Sequence, residues 1–351
     1  MTDTNQHTHQ QIEHLQNEGG KILIVQTAFL GDVILTTPLA RAVRAAFPKA
    51  DITAMTIPQC AVVLKDFVDN MIIFDKRDKV RRKLEWQRIL SEVTQRQFDL
   101  AFLPHRSMRT GYLARKAGIP IRIGFNKGAG RHFHTLKVEY PPSRYEGERN
   151  LSLLKVVCET TDNGIPELNP SAAQISHIEE ILQDIGVKPN GYIAIAPGSV
   201  WETKRWREGS YQALVASYER EFGLPTLAIG GGEDEGLCSR IVRKPEYNMA
   251  GKLSIMESAA LVKFSRFMIS GDTAPAHIAT AVGARQIMIF GSTVPRFGFA
   301  PPVESAVIVE KKLWCRPCTT HGRQKCPKLN RMNCMTDITP ETVLKSSEHW
   351  L

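Results

Sequence analysis

The sequence predicts an α/β protein made of two doubly wound domains that face a central cleft. Short apolar runs of strand character alternate with helical stretches along most of the chain, which is typical of a parallel sheet covered on both faces. This alternation restarts after a polar, proline-bearing stretch at residues 163–170. A length of 351 residues is sufficient for two domains with separate cores.

The elements are predicted from these runs in chain order. The first domain, residues 21–165, has strand candidates at 21–26, 51–56, 71–74, 98–103 and 121–123, with helices near 34–47, 81–95 and 109–117. The second domain, residues 166–335, has strand candidates at 192–196, 226–229, 267–270 and 286–290. Residues 336–351 are predicted to form a helix that packs back on the body. Residues 1–20 are polar and lack an apolar core, which predicts a disordered extension and not a secretion signal.

The composition favours a globular protein with acidic partners. Hydrophobic residues make up 42% and charged residues 23% of the chain, and no apolar run approaches the ~18 residues that cross a bilayer. The net charge of +9 favours nucleic acid, anionic lipid or phosphorylated substrates. The basic run at 76–83 fits either an anionic membrane surface or a solvated helix face. We expect a cytoplasmic protein, with peripheral membrane contact as one interpretation of this run.

Cysteine usage does not indicate a secreted disulfide scaffold in a chain of this length. Three cysteines lie in apolar or helical surroundings and are expected to be buried thiols: Cys60, Cys158 and Cys238. The other four form the pattern Cys315-x2-Cys318-x7-Cys326-x7-Cys334. This pattern lacks a second Cys-x2-Cys pair, and Pro317 and Pro327 fit an irregular loop, so a loop without metal is favoured over a zinc site.

The most informative motif is a strand, a polar turn and a helix start in the second domain. The apolar run at 267–270 leads into Gly271-Asp272-Thr273-Ala274-Pro275-Ala276-His277, and Gly283 supplies a helix stop. Unpaired N–H groups and the positive end of a helix dipole favour a phosphate at such a turn. His277 is either a ligand-binding residue or an ordinary helix histidine, and its position beside Asp272 favours the former.

Two further turns of the second domain follow strands. Pro197-Gly198-Ser199 is followed by Lys204, which suits a diphosphate because N–H groups approach closely and the ammonium neutralises leaving-group charge. An ordinary basic loop is the alternative, and the neighbouring Trp201 and Trp206 disfavour it. The spacing Gly230-x-Gly232-x-x-x-Gly236 matches a dinucleotide fingerprint poorly, because its acidic residues would repel a pyrophosphate. Glu233 is better suited to bind ribose hydroxyls.

The first domain contributes an acidic residue and several basic ones. Asp32 follows Gly31 after the first strand, and it is either a helix cap or a general base that accepts a proton from a hydroxyl. On spacing alone the cap is favoured. Basic residues at strand ends suit bidentate phosphate recognition, although scattered exposed arginines explain them equally well: Arg106, Arg109, Arg122, Lys127 and Arg131.

In this order, the segments resemble glycosyltransferase family 9, the lipopolysaccharide heptosyltransferases. The matching segments are Leu30-Gly31-Asp32-Val33 with Thr37-Pro38, Pro104-His105-Arg106-Ser107, Arg122-Ile123-Gly124-Phe125, Pro197-Gly198-Ser199 with Lys204-Arg205-Trp206, Gly271-Asp272-Thr273 with His277, and Phe290-Gly291. The cysteine-bearing tail looks most like the heptosyltransferase II branch. The resemblance covers the chain from Lys21 onward.

The resemblance implies a GT-B fold with an acceptor domain first and a donor domain second. It implies inverting transfer of L-glycero-D-manno-heptose from ADP-heptose to the phosphorylated inner core of lipopolysaccharide, with no cofactor and no nucleotide-bound metal. By position, Asp32 becomes the catalytic base. The implied donor-binding residues are Ser199, Lys204, Glu233, Gly271, Asp272, Thr273 and His277, and the implied acceptor-binding residues are Arg106, Arg109 and Lys127. Ala274 departs from the family pattern, which has glycine there.

Two other classes of function are consistent with parts of the sequence. An NAD-dependent oxidoreductase would also be α/β, but the first strand–turn–helix lacks Gly-x-Gly-x-x-Gly. A noncatalytic nucleotide-sugar or nucleic-acid binding module would explain the basic charge. It gives no reason for Gly31-Asp32, and no basic groove interleaved with aromatic residues is evident, so nucleic acid is not an expected partner.

Overall fold

The structure is a computed structural model that describes residues 3–76, 82–328 and 331–351. The chain divides into two compact units, Met1–Pro166 and Glu167–Leu351. The division lies next to the predicted domain boundary between residues 165 and 166. Most of the basic run at 76–83 lies outside the described residues, because 77–81 fall in the gap.

The first unit alternates strands and helices. Its strands are β1 (Lys21–Val25), β2 (Asp51–Thr56), β3 (Asn70–Ile73), β4 (Leu100–Leu103), β5 (Ile121–Phe125) and β6 (Leu136–Val138). Its helices are α1 (Asp3–Glu18), α2 (Leu30–Ile34), α3 (Thr37–Ala46), α4 (Ala61–Leu64), α5 (Arg82–Arg96), α6 (Met108–Lys116) and α7 (Glu146–Leu151).

These strands form one six-stranded sheet in the order β3-β2-β1-β4-β5-β6. Every pairing is parallel, and β1 lies between β2 and β4, with Ile22 opposite both Ile52 and Leu100. A central parallel strand is covered on both faces, which is why β1 is apolar at four successive positions, all buried. The same strand order is that of the doubly wound dinucleotide-binding fold.

The N-terminal segment is a helix, so the prediction of a disordered extension over residues 1–20 was wrong. Helix α1 buries Ile12 and Leu15, which are 2% and 6% exposed. A Cβ atom at Gly20 would lie 2.2 Å from Leu15 Cδ2, so the helix packs directly on the entry to β1. Because only these two apolar residues face inward, the composition of the segment resembles disorder although its spacing fits one buried helical stripe.

The second unit repeats the pattern. Its strands are β7 (Ile193–Ala196), β8 (Thr226–Ala228), β9 (Phe267–Gly271), β10 (Gln286–Phe290) and β11 (Ala306–Glu310). Its helices are α8 (Ala172–Asp184), α9 (Glu208–Phe222), α10 (Glu235–Ile241), α11 (Ile255–Phe264), α12 (Ala274–Ala281), α13 (Asn333–Thr336) and α14 (Pro340–Ser347).

The second sheet has five strands in the order β11-β10-β9-β7-β8, again with parallel pairing throughout. Helix α14 packs against α9, where the Tyr218 hydroxyl lies 2.8 Å from Ser347 Oγ. The Trp206 indole donates to the Ile338 carbonyl at 2.9 Å, so the C-terminal segment packs back on this unit. Two parallel α/β units of doubly wound order confirm the predicted fold class.

Some element bounds differ from the prediction. Strands β6 and β11 were not predicted, and the helix expected from residue 34 begins earlier and breaks between α2 and α3. At that break Thr36 Oγ1 donates to the Asp32 carbonyl at 2.8 Å, a side-chain bond that competes with helix continuation. None of the helices in the described ranges has the length and apolar character that a membrane crossing requires.

Candidate active site

Each sheet reverses its winding direction at one pair of neighbouring strands, and ligands of such sheets bind beyond the carboxyl ends of that pair. In the first unit the pair is β1 and β4, followed by residues 26–32 and 104–107. In the second unit it is β7 and β9, followed by residues 197–204 and 271–273. The motifs found in the sequence therefore lie at the position where each fold offers a site.

In the second unit, Lys204 and Asp272 form a buried ion pair. Lys204 Nζ lies 2.7 Å from Asp272 Oδ2, and the two side chains are 13% and 4% exposed. The ammonium also donates to the Asp272 carbonyl at 3.1 Å. The hydroxyl of Thr293, which follows β10, donates to the same Oδ2 at 2.7 Å. The carboxylate therefore holds the ammonium at the carboxyl edge of the sheet.

Beside this pair, two side chains have polar atoms without partners. Within the described part of the chain, neither Thr273 Oγ1 nor His277 Nδ1 has a hydrogen-bond partner, although both atoms are inaccessible to solvent. His277 is 4% exposed. Burial lowers its pKa from 6.5 to about 4, with Lys204 adding to the shift and Asp272 opposing it. The imidazole is therefore neutral at pH 7. A buried polar atom without a partner is costly, which points to a ligand as the missing partner.

The turn into helix α12 offers fewer N–H donors to a ligand than the sequence suggested. Pro275 contributes no N–H, and Ala276 donates to the Thr273 carbonyl at 3.1 Å, so Ala274 supplies the N–H that remains for a ligand. A Cβ atom at Gly271 would lie 2.9 Å from the Lys204 carbonyl oxygen. Glycine there lets the loop that carries Lys204 approach the end of β9.

The loops after β7 and β8 contact each other through glycine. A Cβ atom at Gly198 would lie 2.2 Å from Asp234 Oδ1, so the loop of Ser199 lies against that of Glu233. Ser199 Oγ accepts the Trp201 N–H at 3.1 Å and remains half-buried. Glu233 is exposed. Burial, with a further contribution from the Glu233 carboxylate, raises the pKa of Asp234.

In the first unit, Asp32 occupies the third position of helix α2. Its Oδ2 accepts the Phe29 N–H at 3.2 Å, as an acidic residue does at a helix start, and the side chain is half-buried. The stabilising role that the spacing favoured is therefore present. This contact uses one of the four lone-pair sites of the carboxylate, a group that is also able to accept a proton.

A second buried group lies at the same edge of the sheet. Thr27 Oγ1 is 3.2 Å from His105 Nδ1, and Lys76 Nζ donates to the Thr27 carbonyl. Burial, with smaller contributions from the charges of Lys76 and Arg106, lowers the pKa of His105 from 6.5 to about 4. His105 stood in a recognised motif, but neither it nor Lys76 was predicted as a site residue. Their position at strand ends was the available signal.

Two of the three predicted acceptor residues lie on interlocked loops. Gly130 N donates to the Arg106 carbonyl at 3.3 Å. A Cβ atom at Gly128 would lie 2.6 Å from Arg106 Cβ, and the φ of this residue is +91°. Both the close approach and the positive φ therefore require glycine at the position after Lys127. The Arg106 guanidinium lies 4.2 Å from the centroid of the Tyr140 ring. Lys127 and Arg109 are exposed, Arg109 in the first turn of α6.

Other basic candidates have structural roles. Arg122 donates to the backbone carbonyls of Phe133 and Ile119, and Arg131 donates to that of Gly128 at 3.1 Å. These contacts occupy donors that phosphate recognition would need. The interpretation of Arg122 as a phosphate ligand is not supported, because its guanidinium holds the β5–β6 connection together.

The seven cysteines are not joined in disulfides, with Cys60, Cys238 and Cys334 buried and the others half-buried. Across the three described ranges, no group of three or more His, Cys, Asp or Glu side chains is arranged to hold a metal ion. Burial raises the pKa of Cys334 to about 11, with the neighbouring cysteines adding to the shift and Arg316 opposing it. The segment that carries Cys315 and Cys318 packs against the end of β10, since Cys318 N donates to the Ser292 carbonyl at 3.2 Å.

Residues 86–328 match the family model described as glycosyltransferase family 9 (heptosyltransferase). The chain belongs to glycosyltransferase family 9. This membership confirms the family expected from the sequence motifs and makes the protein a glycosyltransferase. It leaves the oxidoreductase and the noncatalytic module without support.

Relatives of this glycosyltransferase match over nearly their whole length. The lipooligosaccharide heptosyltransferase 2 of Campylobacter jejuni subsp. jejuni serotype O:6 is 24% identical over 336 residues, which cover 93% of this chain and 97% of the relative. Two solved structures are each 20% identical. The family 9 glycosyltransferase from Veillonella parvula has a TM-score of 0.81 and covers 94% of this chain and 97% of its own. The ADP-heptose lps heptosyltransferase II of Escherichia coli has a TM-score of 0.72 over 94% and 98%. These matches support the GT-B architecture.

Proposed function

We propose that this family 9 glycosyltransferase moves L-glycero-D-manno-heptose from ADP-heptose to the phosphorylated inner core of lipopolysaccharide, with inversion at the anomeric carbon. Relatives named for heptose transfer to lipooligosaccharide or lipopolysaccharide support this substrate pair. The observation that carries the proposal is the buried Lys204–Asp272 pair beside the unpartnered polar atoms of Thr273 and His277. A nucleotide diphosphate supplies the anion and the acceptor atoms that this group lacks.

The donor binds in the second unit in this proposal. Lys204 and the N–H of Ala274 contact the diphosphate, and Thr273 donates its hydroxyl proton to a phosphate oxygen. Neutral His277 either donates or accepts at Nδ1, according to its tautomer. Gly271 keeps the loops close together, while Ser199 and Glu233 approach the ribose and phosphates from the neighbouring turns. The methyl group of Ala274 lies beside the N–H that it supplies, so it narrows the space available to the phosphates.

Asp32 is the proposed catalytic base. Its carboxylate takes the proton of the acceptor hydroxyl as that oxygen forms a bond to the anomeric carbon. The bond from the anomeric carbon to the phosphate oxygen breaks, and ADP departs with the electron pair. Lys204 and the start of helix α12 stabilise the charge that develops on ADP. No group changes its oxidation state in this displacement.

Arg106, Arg109 and Lys127 are the proposed contacts to acceptor phosphates. Guanidinium groups bind phosphate through paired hydrogen bonds, and an ammonium adds a point charge. The contact of Arg106 with the Tyr140 ring holds one guanidinium in a defined position without occupying its N–H donors in an ion pair. Arg109 and Lys127 are exposed and free to follow a branched, charged acceptor.

We also propose that the donor phosphates are neutralised without a bound metal. In metal-dependent transferases a divalent cation and its carboxylate ligands stabilise the leaving diphosphate. Here the carboxylate nearest the helix start, Asp272, is already paired with the Lys204 ammonium at 2.7 Å. The ammonium and the helix dipole then take the role that a cation would have.

A further part of the proposal is peripheral contact with the cytoplasmic leaflet, where a lipid-linked acceptor would be presented. Helix α6 carries Met108, Tyr112 and Lys116 at four-residue spacing, and the first two side chains are 61% and 43% exposed. The Tyr112 ring stacks on Trp86 of α5 at a centroid distance of 6.2 Å, which fixes it on this face. Exposed apolar and basic residues on one helix face suit an anionic lipid surface.

One experiment tests the substrates directly. The enzyme is incubated with ADP-heptose, ADP-glucose and UDP-glucose, each with lipopolysaccharide acceptors truncated at successive core sugars. Mass spectrometry of the acceptor then reports the added mass. Addition of a single heptose to one inner-core acceptor supports the proposal. Transfer of a different sugar, or no transfer from ADP-heptose to any of the acceptors, would contradict it.

A further inference from the structure

The segment that begins at Cys315 contacts two loops of the proposed donor site in the second unit. Its residues were not predicted as site residues. Arg316 lies in this segment, between Cys315 and Pro317, and its side chain is 4% exposed. Its guanidinium donates to the carbonyl oxygens of Gly291 and Lys311, and to that of Thr293 at 2.7 Å. It also pairs with Glu310 Oε2 at 2.9 Å. One buried side chain thus fixes the turn that follows β10.

That turn presents Thr293 to the donor site. Thr293 is 1% exposed, and its hydroxyl donates to Asp272 Oδ2 at 2.7 Å, the oxygen that also contacts Lys204 Nζ. A carboxylate oxygen held by a hydroxyl on one side positions an ammonium on the other more narrowly than the ion pair alone. The chain of contacts therefore runs from Arg316 through Thr293 and Asp272 to Lys204.

The same segment also holds the loop that carries Lys204. Arg323 N donates to Thr203 Oγ1 at 2.9 Å, and Thr203 N donates to the Arg323 carbonyl at 3.0 Å. Thr203 Oγ1 lies 2.9 Å from Ser292 Oγ, in the turn that Arg316 fixes. Both loops that converge on Asp272 are therefore anchored to residues 316–323. This second connection does not pass through the Arg316 side chain.

We infer that Arg316 and Thr293 are positioning residues for the nucleotide diphosphate, because they orient the Asp272 carboxylate and through it the Lys204 ammonium. Neither residue touches the donor in this inference. It rests on the proposed binding of an ADP-sugar at Lys204. Loss of either residue leaves the ammonium present and charged but less narrowly held, so affinity for the diphosphate falls.

The test uses ADP as the probe and isothermal calorimetry as the measurement, on the full chain and well below the unfolding midpoint of every variant. Thr293→Val keeps the shape of the side chain and removes its hydroxyl. Arg316→Lys keeps the charge but cannot reach several carbonyl oxygens at once. Each single variant is expected to raise the ADP dissociation constant about tenfold. The double variant is expected to raise it little further, because both changes act through Asp272.

Arg266→Lys is the matched control. Arg266 also donates to two backbone carbonyls of this unit, those of Asn190 at 3.0 Å and Leu351 at 2.9 Å, but it precedes β9, whereas Asp272 follows that strand. It is expected to lower the thermal midpoint as Arg316→Lys does while the ADP dissociation constant stays unchanged. In steady-state assays, Arg316→Lys should raise the KM for the donor and leave the KM for the acceptor unchanged.

The outcomes separate the inference from the function on which it rests. If wild-type protein does not bind ADP, the proposed donor site is wrong and the inference falls with it. If wild-type protein binds ADP and Thr293→Val binds it equally well, the positioning role alone is overturned. Fully additive losses in the double variant would also overturn it, since they indicate two independent effects. Should Arg316→Lys fail to fold, Thr293→Val decides the question by itself.

Discussion

Lys204 and Asp272 are paired at 2.7 Å in a setting where neither side chain is more than 13% exposed. Such a pair gains little for stability, because removing both charges from water costs about as much as their attraction returns. Its retention at the carboxyl edge of a sheet, beside a helix start, is better explained by ligand binding. In the proposed site the carboxylate orients the ammonium, whose remaining N–H donor can bind an anion together with the start of helix α12.

Replacing Lys204 by Ala is expected to weaken binding of ADP and of ADP-heptose by about 100-fold, since the cation nearest the diphosphate is lost. It also leaves Asp272 buried without its ion-pair partner, which should lower the free energy of unfolding by about 3 kcal/mol. Calorimetry and denaturant unfolding measure the two effects. Lys263→Ala, which removes an exposed lysine of the same unit, should change neither. An unchanged ADP dissociation constant in Lys204→Ala would remove this residue from the donor site.

Asp32→Asn distinguishes a catalytic base from a residue that only stabilises the start of α2. The amide oxygen can still accept the Phe29 N–H, so helix α2 and the thermal midpoint should be preserved. The amide cannot take a proton, so kcat should fall by about 100-fold to 10,000-fold while the ADP dissociation constant stays the same. Asp66→Asn makes the same change at an exposed position of this unit and should be fully active. Wild-type turnover in Asp32→Asn would leave Asp32 with the structural role alone.

The lowered pKa of buried His277 predicts that the protein loses stability in mild acid. The unfolded chain takes up a proton near pH 6.5, whereas the folded protein does so only near pH 4, because burial disfavours the charged imidazole. Between these values the unfolded state binds more protons, so the free energy of unfolding falls as the pH is lowered. From pH 7 to pH 5 this group should remove about 2 kcal/mol. His277→Gln should lack this part of the pH dependence, as measured by denaturant unfolding at both pH values. An identical pH dependence in both proteins would contradict the neutral buried imidazole.

Contact with an anionic bilayer is expected to depend on helix α6. Tyr112→Ser together with Lys116→Gln should lower partitioning to vesicles that contain phosphatidylglycerol by about fivefold or more. One basic residue near such a surface contributes about 1 kcal/mol, and loss of the tyrosine ring adds to this. Vesicle sedimentation measures the bound fraction, with phosphatidylcholine vesicles as the neutral comparison. Phe222→Ser, at a residue 41% exposed in the other unit, is the control and should have no effect. Equal binding to both lipids, or no binding by wild-type protein, would refute this surface.

Metal removal is expected to leave transfer unchanged. Dialysis against a chelator, followed by assay in metal-free buffer, should retain the wild-type kcat, because Lys204 and the start of α12 stabilise the diphosphate. Metal analysis of the dialysed protein gives the occupancy. Loss of activity that returns with one divalent cation would show that this account of the leaving group is wrong.

The sequence predicted those elements whose signals are local. β2 and β10 have the predicted bounds, because both are short runs of mostly apolar and β-branched residues, as strands buried on both faces are. The turn at Gly271–Thr273 was found for the same reason, as it lies between a buried strand and a helix with proline in its first turn. β6 was missed because its three residues, Leu136–Val138, include an exposed lysine and only one buried side chain, whereas the equally short β8 is buried throughout.

The residues missed at the site act through distant parts of the chain. Thr293 and Arg316 are 21 and 44 residues from Asp272 in sequence, and nothing adjacent to either indicates that they converge on its carboxylate. Lys76 reaches Thr27 across β2, a contact that depends on strand order and not on composition. Helix α1 escaped notice because two buried side chains are a weak pattern within a polar segment.

The central place of β1 in the first sheet has a consequence for how the protein is made. Its two neighbours are β2 and β4, and β4 ends at Leu103. During synthesis the first strand emerges from the ribosome early, but one of its edges stays unpaired until about 80 residues have followed. An apolar strand with an open edge invites pairing with other nascent chains. Yield in cells should therefore depend on chaperones that bind the growing polypeptide, more than the stability of the finished enzyme would suggest.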